Sequence, residues 1–242
     1  MTDLLEVEDL VVEYGAGAHR LSAVSGVSVA LQRGETLGLV GESGCGKSTL
    51  GRAILRLQRH RSGRVLFEGS DLATLSRARL RQLRPRMQII FQDPIASLNP
   101  RRRVRDIVAE PLVIEGRLGR PQREARVRAV LEAVGLSPDL VGDRFPREFS
   151  GGQCQRIAIA RALVMEPDLL ICDEPVASLD VSIRAQILNL LEEMKARYGL
   201  TLLFIAHDLA VVKAVSDRIA VMYLGRLCEM GPSEAVFDHP LH

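Results

Sequence analysis

The chain has 242 residues, of which 47% are hydrophobic and 26% are charged, a composition that fits a soluble globular protein with a substantial buried core. Its net charge of +2 is too small to indicate binding to nucleic acid or to a membrane surface, and we interpret the basic clusters at 77–86 and 101–105 as solvated helix faces and loops. No run of 18 apolar residues is present, and residues 1–6 lack the basic and apolar segments of a signal peptide, so we expect neither a transmembrane helix nor secretion.

Short β-strands joined by turns are predicted for the first part of the chain. Apolar residues indicate strands at Leu4–Leu10, Val11–Tyr14, Val24–Leu31 and Thr36–Val40, with a turn at Gly15–Ala18. A helix is expected at Leu50–Leu57, then a turn and strand within Ser62–Gly69, and a buried strand at Met87–Phe91 that is closed by Pro94.

In the middle of the chain, the spacing of apolar residues changes from the pattern of strands to that of helices. Helical spacing dominates from about 101 to 165, for example at Gln122–Val134, so this segment is predicted to be a helical insertion. Buried strands are expected at Asp168–Cys172 and Thr201–Ala206, on either side of a long amphipathic helix at Ile183–Tyr198. Short apolar strands that alternate with helices predict a mainly parallel sheet covered on both faces.

Residues 41–49 match the complete phosphate-binding pattern G-x-x-x-x-G-K-[ST] between a predicted strand and a predicted helix. They are Gly41, Glu42, Ser43, Gly44, Cys45, Gly46, Lys47, Ser48 and Thr49. The glycines let backbone N–H groups point into one concavity, and a helix N-terminus favours an anion. Lys47 is placed to reach the outer phosphates, and Ser48 to bind Mg²⁺. A glycine-rich turn that merely contains a lysine is the alternative, but the order of strand, loop and helix predicts binding of a nucleoside triphosphate.

An acidic pair follows the predicted strand 168–172. Asp173 is predicted to bind Mg²⁺ through its water shell, and Glu174 to orient or deprotonate an attacking water. Many strands end in acidic residues before a turn, so the pair alone is a weak signal. Together with the loop at 41–49 it favours the catalytic interpretation.

A second anion-binding pattern precedes the predicted helix 154–163. It consists of Ser150, Gly151, Gly152 and Gln153. A hydroxyl and two glycines at a helix N-terminus can bind an anion, while Ser150 can also be the N-cap, and the two roles are compatible. Two phosphate-recognition elements in one chain suggest a composite site that can extend across two subunits.

These motifs, in this order, resemble those of the ATP-binding subunits of ABC transporters over essentially the whole chain. Residues 149–153 resemble the family signature, which is usually written LSGGQ. Gln92 matches the Q-loop glutamine, Asp180 ends the segment that matches the D-loop, and His207 matches the switch histidine. Tyr14 lies where the family stacks an aromatic ring on adenine.

The resemblance implies an α/β fold, with a P-loop NTPase (RecA-like) core and a mainly parallel sheet, an N-terminal antiparallel β sub-domain and an inserted α-helical sub-domain. We expect a single domain over 1–242. Within it, 1–92 would hold the β sub-domain and the first part of the core, 93–165 the helical sub-domain and 166–242 the rest of the core. Members usually continue beyond the motif at the end of this chain, so we expect a C-terminal extension to be missing.

The resemblance also implies roles for individual residues. Residues expected to act in hydrolysis are Glu174, His207, Lys47 and Gln92, and those expected to hold Mg²⁺ are Ser48, Gln92 and Asp173. ATP would contact Tyr14, Gln92 and 41–49 of one subunit and, in trans, Ser150, Gly151, Gly152, Gln153 and Asp180 of another. Structural roles stay open for three of these residues. His207 could be a partly buried histidine that caps a turn, Gln92 could be a polar residue at the end of a strand, and Tyr14 could be a packed strand tyrosine.

The segments 91–101, 180–191 and 223–242 resemble the importers of peptides and nickel. This implies an ATPase at the cytoplasmic face of the inner membrane, peripherally bound, which drives uptake of di- or oligopeptides as part of a head-to-tail dimer. Expected partners are a second ABC ATPase subunit, in a heterodimer rather than a homodimer, two transmembrane permeases and an extracytoplasmic solute-binding protein, with no nucleic acid. An importer of nickel or another small solute, and a soluble ABC ATPase such as a component of a phosphonate-degrading complex, are the alternatives.

Four cysteines lack C-x-x-C pairing and metal-ligand spacing, which favours a reduced cytosolic protein. Two of them depart from the family pattern. Cys45 stands where serine is common, and Cys154 stands where a polar residue usually follows the signature. Cys45 is expected either to react with thiol alkylators, with protection by ATP, or simply to fill a small space.

Overall fold

The computed structural model describes residues 3–15 and 20–242, which divide into two compact units. The first unit comprises Met1–Arg84 and Gly199–His242, and the second comprises Pro85–Tyr198. The helical insertion predicted for 93–165 lies within the second unit. The turn predicted at Gly15–Ala18 lies, apart from Gly15, outside the described residues.

An antiparallel sheet forms one part of the first unit. It contains β1 (Asp3–Tyr14), β2 (Leu21–Gln32), β4 (Ser62–Phe67) and β5 (Ser70–Asp71), in the order β2-β1-β4-β5. The prediction of two strands at 4–10 and 11–14 is wrong, because β1 continues through a bulge. Asp9 has φ 44°, its N–H donates to Ser28 Oγ at 2.9 Å, and the register shifts on both sides of Leu10. An extra residue in the ladder bends a strand without ending it.

A second set of strands in the first unit is centred on β3 (Thr36–Val40), which pairs in parallel with β8 (Thr201–Ile205) and β9 (Arg218–Tyr223). β10 (Arg226–Pro232) pairs antiparallel with β9. Every residue of β3 and of β8 is buried, as expected for parallel strands covered on both faces. The strands predicted at 36–40 and 201–206 are therefore confirmed.

The described part of the first unit contains four α-helices: α1 (Lys47–Ile54), α2 (Arg77–Leu83), α9 (Leu209–Val215) and α10 (Ser233–Asp238). α1 begins three residues before the predicted Leu50, directly after Gly46, and it ends before the predicted Leu57. Its end is followed by Arg56 in a left-handed conformation with φ 54°, which a helix cannot continue through.

The second unit has two parallel strands, β6 (Met87–Ile90) and β7 (Leu169–Asp173), and six helices. The helices are α3 (Pro94–Ser97), α4 (Val104–Glu115), α5 (Arg120–Ala133), α6 (Pro138–Val141), α7 (Gly151–Leu163) and α8 (Val181–Tyr198). α7 packs against α3, α4, α5, α8 and β6, which makes it the central helix of this unit. In the described ranges, no helix is both long and apolar enough to span a bilayer.

Candidate active site

The phosphate-binding loop connects β3 to α1 in the first unit, and two of its glycines have no room for a side chain. A Cβ atom on Gly41 would lie 2.1 Å from the Met222 carbonyl oxygen, and one on Gly46 would lie 2.1 Å from the Ala23 carbonyl oxygen. Gly46 also has φ 109°, in the left-handed region that glycine tolerates. The backbone of the loop is thus held in its conformation by close contacts that only glycine permits.

Lys47 is a buried cation held within this loop. Its side chain is only 4% exposed, and its Nζ donates to the carbonyl oxygens of Gly41 at 2.7 Å and Glu42 at 2.9 Å. The N-cap of α1 is Gly46, which makes no side-chain cap hydrogen bond, and the N-terminus of this helix favours an anion. A buried ammonium and an uncapped helix N-terminus are the donor set that a phosphate chain requires.

The phosphate loop is braced by residues that the sequence motifs did not identify. The Gly225 N–H, in the turn between β9 and β10, donates to the Cys45 carbonyl oxygen at 2.9 Å. The Gly225 carbonyl in turn accepts from the Ser25 N–H of β2 at 2.8 Å. Leu224 and Gly225 both have positive φ, as in a two-residue hairpin turn. The Leu-Gly pair between two apolar runs could have predicted this turn, but not its hydrogen bond to Cys45 in the phosphate loop.

Tyr14 and His207 also belong to the first unit. Tyr14 ends β1, is 39% exposed, and has its hydroxyl 3.2 Å from Thr49 Oγ1 in the phosphate loop. His207 is exposed after β8, and the cap of α9 is the next residue, Asp208, which accepts from the Ala210 N–H at 3.0 Å. His207 is therefore neither partly buried nor the cap of α9.

The acidic pair lies in the second unit, at the end of β7. Asp173 is buried, and Glu174 has φ 49°, a conformation that non-glycine residues rarely adopt outside strained sites. Gln92, after β6, donates from Nε2 to Glu174 Oε2 at 3.1 Å. The carboxyl ends of these two parallel strands therefore bring Gln92 and Glu174 together.

The signature segment is a capped helix start at the N-terminus of α7. Ser150 Oγ accepts from the Gln153 N–H at 3.4 Å, while the Ser150 N–H donates to Gln153 Oε1 at 3.0 Å. The N-cap interpretation of Ser150 is confirmed. A Cβ on Gly152 would lie 2.6 Å from the Ile183 side chain of α8, whereas one on Gly151 would make only an ordinary contact. Asp180 is exposed immediately before α8.

Two buried cysteines near these motifs, Cys154 and Cys172, are held as neutral thiols. Cys154 donates to the Pro146 carbonyl oxygen at 3.5 Å, and burial raises its pKa. Burial also raises the pKa of Cys172, with a further contribution from the neighbouring Asp173 carboxylate. Among the described residues, no group of three or more His, Cys, Asp or Glu side chains forms a ready-made metal cluster.

The predicted site residues are thus divided between the two units. The first unit holds Tyr14, the loop 41–49 and His207, and the second holds Gln92, the segment 150–153, Asp173, Glu174 and Asp180.

Comparison with known proteins connects these motifs and this fold to one family. Residues 24–177 match a family model described as ABC transporter. The chain is 51% identical to the oligopeptide transport ATP-binding protein OppF of Salmonella typhimurium, over 99% of this chain and 74% of the relative. It is 52% identical to AppF of Bacillus subtilis, also named an oligopeptide transport ATP-binding protein, over 92% of this chain and 68% of the relative.

Solved structures lead to the same family. At 33% identity and a TM-score of 0.87, the chain matches cbiO1 from Clostridium perfringens, part of the ABC transporter complex cbiONQ, over 99% of this chain and 92% of that one. At 26% identity and a TM-score of 0.85, it also matches a dimeric ATP-binding cassette, MJ0796, bound to ADP and Pi. That match covers 95% of this chain and 98% of the MJ0796 chain. The chain belongs to the ABC transporter family, as an ATP-binding protein with the P-loop NTPase fold.

Proposed function

We propose that this chain hydrolyses ATP to drive the import of di- or oligopeptides, as a peripheral subunit at the cytoplasmic face of the inner membrane. The identity of about half of its residues to oligopeptide transport ATP-binding proteins supports the peptide substrate. The geometry of the phosphate loop supports the nucleotide, because Lys47 and the uncapped start of α1 present a cation and N–H donors.

ATP is held through its phosphates by 41–49 and through its base by Tyr14. Lys47 would exchange its bonds to the Gly41 and Glu42 carbonyls for bonds to phosphate oxygens. The partly exposed ring of Tyr14 would stack on adenine, while its hydroxyl stays close to Thr49.

Magnesium would be held by oxygen donors of the kind it prefers, and the residues expected to supply them are Ser48 through its hydroxyl, Gln92 through its amide oxygen and Asp173 through its carboxylate. The Gln92 orientation agrees with this, because its nitrogen is directed at Glu174 and its oxygen remains an acceptor. When bound, the ion neutralises charge on the phosphate oxygens. Glu174 accepts a proton from the attacking water, and His207 donates a hydrogen bond to the γ-phosphate in the transition state.

The proposed active assembly is a head-to-tail pair of ATPase subunits. Ser150, Gly151, Gly152, Gln153 and Asp180 of one subunit would contact ATP bound to the other, and the capped start of α7 supplies the helix N-terminus for this. We favour a heterodimer with a second ATPase chain, together with two permeases and an extracytoplasmic solute-binding protein.

Affinity purification tests this function. The tagged chain is isolated from gently solubilised native membranes, the tag alone is the control, and co-purifying proteins and their bound solute are identified by mass spectrometry. Two permeases, a second ATPase and a peptide-loaded binding protein are expected. A binding protein loaded with nickel would show that nickel, and not a peptide, is the transported solute. Recovery of the tagged chain with cytosolic partners alone would contradict the transport role.

A further inference from the structure

Arg161, near the end of α7, directs a half-buried guanidinium at the backbone of α3. Its Nη1 donates to the Ser97 carbonyl oxygen at 2.6 Å, and its Nη2 lies 3.4 Å from Ser97 Oγ. Burial lowers the pKa of this guanidinium, and the charge of Glu110 partly offsets that effect. Desolvating a charge is costly unless it is used in strong hydrogen bonds, so this contact is a specific one.

The helix that Arg161 holds is a single turn that begins just after Gln92. Asp93 caps it by accepting from the Ala96 N–H at 3.0 Å, and Ser97 Oγ donates to the Pro94 carbonyl oxygen at 2.9 Å. These local bonds make 93–97 a compact body. Gln92 and its bond to Glu174 lie at one end of that body, and Arg161 binds the other end.

We propose that Arg161 is a positioning residue for ATP hydrolysis, which fixes α3 against α7 and thereby keeps Gln92 in contact with Glu174. The proposal rests on the ATPase function stated above. It also links Gln92 to the signature segment, two of the motifs of the second unit, because the helix that carries Arg161 near its end begins at the signature glycine Gly151. A displacement of the signature helix would be transmitted to Gln92 through this guanidinium.

Arg156 provides a matched control on the same helix. Its Nη1 donates to the Val134 carbonyl oxygen at 2.7 Å, a bond of the same kind and length that reaches the end of α5 instead of α3. Arg156→Met and Arg161→Met therefore remove equivalent groups from α7. Only Arg161→Met releases the segment that carries Gln92.

The test measures kcat and KM for ATP hydrolysis by the complex that co-purifies with the tagged chain, with thermal unfolding of the chain to verify its fold. Arg161→Met is expected to lower kcat at least tenfold with KM changed less than threefold, whereas Arg156→Met should keep kcat within threefold of wild type. Arg161→Lys, which retains the charge and a donor, should recover part of the loss. In a Gln92→Ala background, Arg161→Met should cause no further decrease in kcat, because both changes remove the same contact.

Several results would overturn the role of Arg161. Equal kcat values for the two methionine variants, or multiplicative effects of Arg161→Met and Gln92→Ala, would make it a packing residue only. If Arg161→Met fails to fold, Arg161→Gln, which removes the charge and shortens the side chain, takes its place, and a wild-type kcat in that variant refutes the proposal. A wild-type complex, purified with its second ATPase and permeases, that lacks ATPase activity would instead refute the proposed function. Amide exchange of 93–98, expected to rise in Arg161→Met but not in Arg156→Met, then tests the structural link separately.

Discussion

The side-chain amide of Gln92 donates a hydrogen bond of 3.1 Å to the carboxylate of Glu174, a residue 82 positions further along the chain. The bond joins the ends of two neighbouring parallel strands, and it holds a carboxylate whose own backbone is in the left-handed region at φ 49°. Strain of this kind is typical of sites where the surrounding structure holds a reactive group in place. The proposed base is therefore positioned before any substrate arrives.

Replacing Glu174 with glutamine should greatly slow turnover while preserving nucleotide binding. The substitution keeps the size of the side chain and an oxygen that can accept from Gln92, but it removes the group that accepts a proton. General-base catalysis contributes about 10²–10⁴-fold, so kcat should fall by about that factor while the Kd for Mg·ATP changes little. Steady-state ATPase assays and equilibrium binding measure the two quantities.

Glu166→Gln is the control for this prediction, because Glu166 is an acid of the same unit that pairs with Arg126 at 2.9 Å, away from the predicted motifs. It should retain wild-type turnover. Normal turnover by Glu174→Gln would contradict the assignment of Glu174 as the base.

Alanine at Gly46 should destabilise the protein much more than alanine at Gly44. Both glycines have positive φ, but a Cβ at position 46 would meet the Ala23 carbonyl oxygen at 2.1 Å, and a Cβ at position 44 would meet nothing within 4 Å. Left-handed strain alone costs about 1–2 kcal/mol, which is the expected effect at Gly44. Overpacking against the backbone adds about 1–3 kcal/mol at Gly46.

Urea unfolding without nucleotide compares the two alanine variants, with equal m-values as the condition for a direct comparison. Similar unfolding free energies for both would show that the contact with Ala23 does not constrain the loop.

Removing the ring of Tyr14 should weaken ATP binding, whereas removing its hydroxyl should have little effect. Tyr14→Phe loses only a partly exposed contact of 3.2 Å to Thr49, and stacking on the base is preserved. Tyr14→Ala loses the stacking, worth about 1–3 kcal/mol. Calorimetric titration with ATP measures this difference, and inorganic triphosphate, which has no base, should bind both variants equally. Equal losses in the two variants would assign the role to the hydroxyl.

The sequence predicted the elements that depend on local pattern. Thr36–Val40 and Thr201–Ile205 could be recognised because strands buried on both faces are apolar throughout. Ser150 could be recognised as a cap because the capping box joins residues three apart. Both signals lie within a few residues, where composition and spacing carry information.

Contacts between distant residues could not be predicted in the same way. The bulge at Asp9 depends on a bond to Ser28 in the next strand, and the brace on Cys45 comes from Gly225, far along the chain. The bond between Arg161 and Ser97 spans 64 positions and uses a backbone carbonyl, which every residue possesses. No pattern in the sequence identifies such a partner, since only the tertiary fold brings it within reach.

The buried thiol of Cys172 should make the protein less stable at alkaline pH. Burial, and then the charge of Asp173, raise the pKa of Cys172 above its ordinary value of 9.0. In the unfolded chain the thiol loses its proton near pH 9, whereas in the folded protein it keeps it. The stabilisation is therefore complete below pH 9 and decreases as the pH rises above that value, by at most about 1.4 kcal/mol per pH unit.

Cys172→Ala should remove this part of the pH dependence. Urea unfolding at pH 8, 9 and 10 gives the slope, and Leu170→Ala, on the same buried strand but without a titrating group, should lower stability while keeping the wild-type slope. Alkylation at pH 8 provides a second readout, because the exposed Cys228 should react in the native protein while Cys154 and Cys172 should react only in urea. A wild-type slope in Cys172→Ala, or native alkylation of Cys172, would show that this thiol is not held neutral by the fold.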